Sequence, residues 1–281
     1  MGIKKFKPTT PGRRWMTSLT YEELTTSTPY KPLMVTLKRH AGRNNTWRLT
    51  IRHQGGGHTR KYRLVDFNGT DKKGITAKVE TIEYDPYRTA FISLVCYSDW
   101  ERRYVLAHKD MKVGDKILTN LETPLISGNR MEIWNIPTGL QVYNVEMIVS
   151  QWGISVRAAG AYATIVSQEW KYTQVKMPSW EVRLIHKKCF ATLWQVSNLD
   201  HSQVVIWKAW RARWMGKRPE VRGKAMNPVD HPHGGWEGRS PIGMKAPKTP
   251  WGMPALGYKT RKRKKTTSRW ILKTRKGKLM V

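Results

Sequence analysis

The distribution of charge along the 281 residues constrains the fold more than any single motif. Residues 1–63 contain 14 basic and 2 acidic residues, residues 64–210 contain 17 and 15, and residues 211–281 contain 20 and 3. A segment with a large excess of like charge repels itself, whereas a nearly neutral segment can collapse around a core. The sequence therefore predicts a compact middle, 64–210, between a basic N-terminal arm, 1–63, and a basic C-terminal extension, 211–281.

The total charge and the cysteine usage limit the classes of protein to which this chain can belong. A formal charge of +31 requires a polyanionic partner. No run of 18 or more apolar residues occurs, and residues 1–7 lack the apolar stretch of a signal peptide, so we expect no membrane partner and a cytoplasmic location. Cys96 and Cys189 stand far apart without a CxxC motif, which excludes a cysteine-based zinc site.

The middle of the chain has the pattern of a β protein. Short alternating or apolar runs of strand length are separated by turn signals; they cover 78–84, 90–97, 102–106, 161–166 and 172–177. Pro124 and Gly128 interrupt the pattern within 121–131, and no 12-residue stretch has sustained helical periodicity. We therefore expect two small barrels, residues 64–121 and residues 122–210.

The two arms have a different composition. Residues 211–281 contain seven prolines and nine glycines, which prevents long regular elements. The first 60 residues are similar, with Pro8, Pro11, Pro29, Pro32 and a run of three glycines. Such segments bury little apolar surface and order on a partner, so we expect extended arms that enter folded RNA.

A glycine-rich loop lies at 52–58, with sequence RHQGGGH, and is followed by Arg60, Lys61 and Arg63. Three glycines can expose consecutive backbone amides to a phosphate, and the flanking cations add charge. The alternative is a flexible loop with incidental charge. The GxxxxGK[ST] pattern of a nucleotide-hydrolysing P-loop is absent.

The densest group of potentially chemical side chains is Asp230, His231 and His233. They could form a metal site or an acid–base pair, but no third histidine or cysteine lies nearby and the loop lacks a rigid element. The alternative is that both imidazoles stack on or hydrogen-bond to bases, with Asp230 orienting them. The cationic run at 259–265 is a general polyanion-binding feature; the alternatives are a solvated tail or a localisation signal.

Segments along nearly the whole chain resemble one known family. The segment MNPVDHPHGG at 226–235 lies between RWMGKRP at 213–219 and TPWG at 249–252. Further segments follow in order: TPGRR 10–14, GRNN 42–45, RHQGGGH 52–58, YRLVDF 62–67, EYDPYR 83–88, RRY 102–104, NIP 135–137, NVEM 144–147, RAAG 157–160, VRG 221–223 and EGR 237–239. Together they resemble the L2 family of large-subunit ribosomal proteins.

This resemblance implies a mostly β fold, with an OB-like RNA-binding barrel at 64–121, an SH3-like barrel at 122–210 and extended basic arms. It implies a structural role without catalytic, metal or cofactor residues: binding to large-subunit rRNA, subunit assembly and association, tRNA binding and support of the peptidyl-transferase centre. The implied partners are large-subunit rRNA, neighbouring ribosomal proteins and small-subunit rRNA, on a cytoplasmic or organellar ribosome.

Arg88 and Arg157 match family positions that bind rRNA in the two barrels, and His233 matches the segment that approaches the catalytic rRNA. With the residues singled out above, the expected rRNA-binding set is Arg52, His53, His58, Arg60, Lys61, Arg63, Arg88, Arg157, Lys217, Arg218, Arg222, Asn227, Asp230, His231, His233 and Arg239.

Two other functions remain open at this point. A freestanding nucleic-acid-binding protein would keep both barrels but would not require the C-terminal signature. A hydrolase built on Asp230, His231 and His233 would require a concave pocket, and neither arm predicts one.

The chain departs from the family pattern in its tryptophans, of which there are 14. Nine fall where similar proteins carry glycine: Trp47, Trp100, Trp152, Trp170, Trp180, Trp194, Trp207, Trp210 and Trp236. One explanation is that the gene reads UGA as glycine, so that tryptophan at these positions comes from translating UGA as tryptophan. The other is a lineage that accumulated tryptophan, together with altered rRNA.

Overall fold

The computed structural model describes residues 2–235, 241–262 and 264–279. The chain divides into two compact units. One, called here the barrel unit, comprises Met1–Lys38, Thr59–Lys208 and Thr267–Val281. The other, called the basic unit, comprises Arg39–His58 and Ala209–Thr266. Over the described residues, no helix has the length and apolarity needed to cross a membrane.

Short strands dominate the secondary structure. They are β1 Ile3–Lys5, β2 Thr17–Leu19, β3 Met34–Val35, β4 Tyr62–Arg63, β5 Thr76–Glu83, β6 Ile92–Tyr97, β7 Arg102–Leu106, β8 Lys116–Leu118, β9 Arg130–Glu132, β10 Gln141–Tyr143, β11 Ala163–Glu169, β12 Tyr172–Lys176, β13 Val182–His186, β14 Phe190–Leu193 and β15 Ile271–Lys273. The α-helices are α1 Pro11–Arg14 and α2 Ala209–Trp214, and 3₁₀ turns span Lys31–Leu33, Thr70–Lys72, Ile133–Asn135, Leu199–Gln203, Gly223–Ala225 and Thr266–Trp270.

The first sheet of the barrel unit has the antiparallel order β7-β6-β5-β8. Strand β5 alternates buried and exposed side chains until its register with β6 shifts between Val79 and Thr81. Such a bulge bends and twists a strand, which lets a short sheet curve around its contents. The buried side chains on its inner face include Val79, Phe91 and Val95.

The second sheet has the antiparallel order β15-β13-β12-β11-β10-β14-β9. Its inner face buries Ile133, Val142, Ile165, Val175 and Ile185, each with at most 1% of its surface exposed. Along β11 and β12 the buried residues alternate with half-buried or exposed ones, so one face of the sheet forms a core. Its outermost strand, β15, comes from the C-terminal segment and pairs with β13.

The two sheets of the barrel unit share a packed junction. Ala90 lies two residues before β6, and Leu106 is the last residue of β7. Both belong to the core of the second sheet. The amide of Phe91 donates to the hydroxyl of Ser197 at 3.2 Å. The buried guanidinium of Arg130 on β9 donates from Nε to the carbonyl of Asn68, which precedes β5, at 3.0 Å, and also donates to a carboxylate oxygen of Glu146 at 2.6 Å. These contacts hold the loops at the ends of the two barrels in one frame.

All five strand runs expected from the sequence correspond to observed strands, and the mostly β class with its OB-like and SH3-like architecture is confirmed. The boundary at each end of the middle segment stays a prediction. The structure adds that parts of both arms pack into the barrel unit: the amide of Thr17 donates to Val205, and β15 completes the second sheet. The runs of prolines and glycines shorten these elements but do not abolish them.

Candidate nucleic-acid interface

Two arginines from different barrels converge on one aromatic ring. The guanidinium carbon of Arg157 lies 4.3 Å from the ring centroid of Phe67, and that of Arg88 lies 5.3 Å from the same centroid. Arg88 follows β5 and Arg157 lies between β10 and β11. A cation within about 6 Å of a ring is attracted to its face, so Phe67 holds two like charges close together.

The two guanidiniums differ in their counter-charges. The buried carboxylate of Asp85 pairs with Arg88 and also accepts the amide of Tyr87 at 2.9 Å, which fixes the turn after β5. Within the described part of the chain, Arg157 makes no ion pair. Desolvation, and then the positive charge of Arg88, lower the pKa of the Arg157 guanidinium. Arg157 remains protonated at neutral pH, because arginine is not deprotonated in proteins under these conditions, and no described carboxylate pairs with its charge.

An aromatic strip lies beside this pair. The guanidinium carbon of Arg60 lies 4.7 Å from the ring of Tyr87, and Arg60 donates to the carbonyl of Pro86 at 3.0 Å. The rings of Tyr62 and Tyr87 meet edge to face at 5.3 Å. Cations interleaved with aromatic rings are typical of surfaces that bind single-stranded RNA.

The neighbours of Arg60 differ in accessibility. Lys61 is exposed and donates to the hydroxyl of Thr36 at 2.8 Å. Arg63 is buried, with 9% of its surface exposed, and donates to the carbonyl of Lys61 at 3.0 Å. Arg63 therefore supports β4 from inside, whereas Arg60 and Lys61 face outward.

The glycine-rich loop belongs to the basic unit and is bound by its own chain. The amide of Gly55 donates to Gly216 at 2.7 Å, and that of His58 donates to Trp214 at 2.8 Å. Gly57 has φ +61°, and a Cβ there would lie 2.7 Å from the Trp214 carbonyl oxygen. One of the three glycine amides expected to bind phosphate, that of Gly55, is thus used internally, and the loop also presents the exposed side chains of Arg52 and His53.

The same backbone pairing places two further predicted residues. Gln54 bridges Lys217, and the amide of Arg218 donates to the carbonyl of His53 at 3.0 Å. The side chains of Lys217 and Arg218 are both exposed, so the basic unit presents positive side chains beside the glycine-rich loop.

The histidine loop at 227–235 is shaped by hydrogen bonds to its imidazoles. His231 is buried, and its Nδ1 accepts the amide of His233 at 3.0 Å. The Nε2 of His233 accepts the amide of Lys248 at 2.9 Å. A ring nitrogen that accepts a hydrogen bond carries no proton, so the bond from Lys248 favours the neutral imidazole of His233. Desolvation, and then the neighbouring His231, lower the pKa of His233.

Glycines allow this loop to close. A Cβ on Gly223 would lie 2.5 Å from the His231 ring, and a Cβ on Gly234 would lie 2.2 Å from the Asn227 carbonyl oxygen. Two backbone amides donate to the histidine rings, whereas the exposed carboxylate of Asp230 makes no hydrogen bond to either ring among the described residues; its orienting role stays a prediction. No cluster of three or more histidine, cysteine or acidic residues is placed to hold a metal in the described ranges.

The remaining predicted residues are distributed around this loop. Arg222 and Asn227 are exposed on either side of the Gly223–Ala225 turn. Arg239 and Trp236 lie outside the described residues. Sequence reasoning missed Phe67, whose ring joins Arg88 to Arg157; the signal available was a single aromatic residue, which does not reveal distant partners.

Two barrels that present converging arginines beside aromatic rings, with a strongly basic second unit, define an RNA-binding protein. The family model described as "Ribosomal Proteins L2, RNA binding N-terminal domain" matches residues 30–119, and that described as "Ribosomal Proteins L2, C-terminal domain" matches residues 126–252. The chain belongs to the ribosomal protein L2 family. It is a structural, RNA-binding constituent of the large ribosomal subunit, and its partners are ribosomal RNA and ribosomal proteins.

Proposed function

We propose that the Arg88–Phe67–Arg157 cluster is the main contact of the barrel unit with large-subunit rRNA. The observation that carries this proposal is the guanidinium of Arg157, which has no ion-pair partner among the described residues and lies 4.3 Å from the ring centroid of Phe67, beside a second guanidinium. Two like charges side by side repel each other, and an RNA phosphate between them would remove that repulsion. The planar guanidinium also offers parallel donors that a phosphate or a guanine edge can accept.

The basic unit supplies the second part of the function. Its segments 39–58 and 209–266 contain 19 basic and 3 acidic residues. Among its described residues only Gly42 and His231 are buried. Its affinity for RNA is therefore expected to be mainly electrostatic and salt-dependent. The glycine-rich and histidine loops allow backbone to approach RNA closely, with the positive side chains on the phosphates.

The finer roles follow from where such an extension would lie. We expect the loop at 222–239 to order on the rRNA of the peptidyl-transferase centre and to support its formation, subunit assembly, association with small-subunit rRNA and tRNA binding. The family is one of structural ribosomal proteins. We assign no proton transfer to the histidines, because both described ring acceptors are already occupied by backbone amides.

Reconstitution of large subunits with H233A tests the role of this loop. We expect normal thermal unfolding of the barrel unit, normal incorporation and reduced peptide synthesis, because the Lys248 amide loses its acceptor. Val229→Ala, which removes an exposed side chain of the same loop that is not in the predicted rRNA-binding set, is the matched control. Full-rate translation by normally incorporated H233A subunits would contradict the proposal. Restoration of activity by added imidazole would instead indicate acid–base chemistry.

Fractionation of source cells tests the location. We expect cosedimentation with large subunits in high salt. Recovery with cytoplasmic or with organellar ribosomes distinguishes the two compartments.

A further inference from the structure

Three tryptophans occupy the same position of the same kind of turn. The amide of Trp100 donates to Tyr97 at 2.9 Å, while the amide of Tyr97 donates to Glu101 at 3.0 Å. The same two bonds occur at the other two tryptophans. The amide of Trp47 donates to the carbonyl of residue 44, whose amide donates to residue 48; the amide of Trp180 donates to the carbonyl of residue 177, whose amide donates to residue 181. Their φ angles are +61°, +66° and +67° for Trp47, Trp100 and Trp180. This is a tight turn closed by one left-handed residue, a position that is ordinarily glycine.

Two further copies of this turn supply an internal comparison. Gly252 donates to Thr249 at 2.9 Å while Thr249 donates to Met253 at 2.7 Å, and Gly277 donates to Thr274 at 2.9 Å while Thr274 donates to residue 278 at 2.8 Å. These glycines have φ angles of +78° and +82°. The chain therefore builds one turn five times over its described residues, with glycine twice and tryptophan three times at the left-handed position.

The remaining tryptophans also differ in φ according to whether they belong to the set of nine. Trp194 and Trp207 also have positive φ angles, +92° and +39°. None of the five tryptophans outside the set of nine, Trp15, Trp134, Trp214, Trp251 and Trp270, has a positive φ. A bulky residue in the left-handed region is a true outlier, because its Cβ crowds the adjacent carbonyl oxygen. All five left-handed tryptophans therefore belong to the set of nine, and each has a backbone conformation that favours glycine.

We infer that the protein made in its own cells carries glycine at Trp47, Trp100 and Trp180, and at the other six positions of the set, because its translation reads UGA as glycine. UGA differs from the glycine codon GGA only in its first base, so one aminoacyl-tRNA that pairs with UGA and carries glycine is sufficient. Trp152, Trp170 and Trp210 have ordinary φ angles, and Trp236 lies outside the described residues. Glycine at these four positions follows from the shared codon assignment.

A functional explanation of the exposed rings accounts for less. Exposed tryptophans can stack on bases, and the ring of Trp180 lies 4.4 Å from the ammonium of Lys176. Stacking does not require a left-handed backbone, however, and any other turn position would present the ring without that cost. One codon assignment explains all three turns and leaves the other five tryptophans unchanged.

The gene and the native protein test this inference directly. We expect UGA codons at the nine positions and UGG at Trp15, Trp134, Trp214, Trp251 and Trp270. Peptide mass spectrometry of the protein isolated from its own ribosomes should give glycine at 47, 100 and 180 and tryptophan at 134 and 214. A UGG codon or a tryptophan-containing peptide at any of the three turns overturns the inference. Glycine at 134 or 214 also overturns it, because the two sets would not then differ in codon.

Discussion

The barrel unit and the basic unit obtain their shape in opposite ways. The barrel unit buries two apolar cores and contains 32 basic and 17 acidic residues in 203 positions, whereas the basic unit contains 19 and 3 in 78. The described part of the basic unit has no buried apolar side chain; Gly42 and His231 are its buried residues. Its conformation depends on backbone hydrogen bonds between segments of the unit that lie close together, such as those donated by the amides of Gly55 and His58.

This difference separates two physical contributions to one RNA-binding protein. Apolar burial stabilises the frame that positions Arg88 and Arg157, at about 25 cal/mol for each Å² removed from water. Charge and glycine content leave the basic unit dependent on its polyanionic partner. Changes in the apolar cores of the barrel unit should therefore alter stability, whereas changes in the basic unit should alter RNA affinity.

The largest contrast should come from truncating apolar side chains in each unit. I165A removes a side chain with 1% of its surface exposed, and we expect a loss of about 2–5 kcal/mol in the free energy of unfolding. V229A truncates a side chain with 96% of its surface exposed, and it should change the free energy of unfolding by no more than about 0.5 kcal/mol. Urea unfolding of the free protein measures both, and equal losses would contradict the division.

The next largest effect concerns rRNA affinity. R157A should weaken binding by about 1–3 kcal/mol if the contact is bidentate, with unchanged thermal unfolding because no described partner is left unpaired. R102A, which removes an arginine paired with Glu80 at 2.8 Å, is the matched control and should have a smaller effect. R88A requires a stability measurement alongside, because it leaves the buried Asp85 without its cation. Equal affinities of wild type and R157A, measured by filter binding across salt concentrations, would remove the site.

A smaller effect should distinguish the basic unit by its salt dependence. Replacing Lys264 and Lys265 with glutamine should reduce the slope of log affinity against log salt by about 0.7–0.9 for each RNA phosphate that the variant no longer neutralises. Unfolding of the barrel unit should not change, since neither residue lies in it. An unchanged slope would mean that this run is solvated on the ribosome.

Acidification should act on the barrel unit through His108. This imidazole is buried and donates from Nδ1 to the Lys109 carbonyl at 2.6 Å, and burial lowers its pKa from 6.5. The unfolded chain then binds the proton first, so stability is present above about pH 6.5 and falls as the pH drops toward the folded pKa. The slope contributed is at most about 1.4 kcal/mol per pH unit. H108Q should flatten this part of the stability curve, and an unchanged slope would exclude His108 as its source.

The smallest effect should come from the left-handed turns. W100G should raise the stability of the barrel unit by about 0.5–1 kcal/mol, since glycine removes the positive-φ strain at a modest entropic cost. W134G, at an ordinary φ, should lower it, because the ring contacts Lys187 at 5.5 Å. A loss of stability in W100G would show that the ring contributes more than the strain costs.

The strands and the charged segments could be predicted because both are local properties. Alternation of apolar residues located Arg102–Leu106 at its observed bounds, and the excess of Lys and Arg identified the segments that lack a core. The bulge in β5 and the addition of β15 to the second sheet could not be predicted. Each depends on pairing with residues distant in the chain, which no local pattern encodes.

By itself, the sequence determined the mostly β class, the polyanionic partner and the residue types of the interface, since composition and periodicity set these directly. Only the tertiary structure brought Arg88 and Arg157 onto Phe67, buried Arg63, and placed the amide of Lys248 at Nε2 of His233. It also showed that Trp47, Trp100 and Trp180 share one left-handed position. Contacts across dozens of residues and backbone dihedral angles arise only when strands pair and loops close, because the whole fold decides which local preferences are overruled.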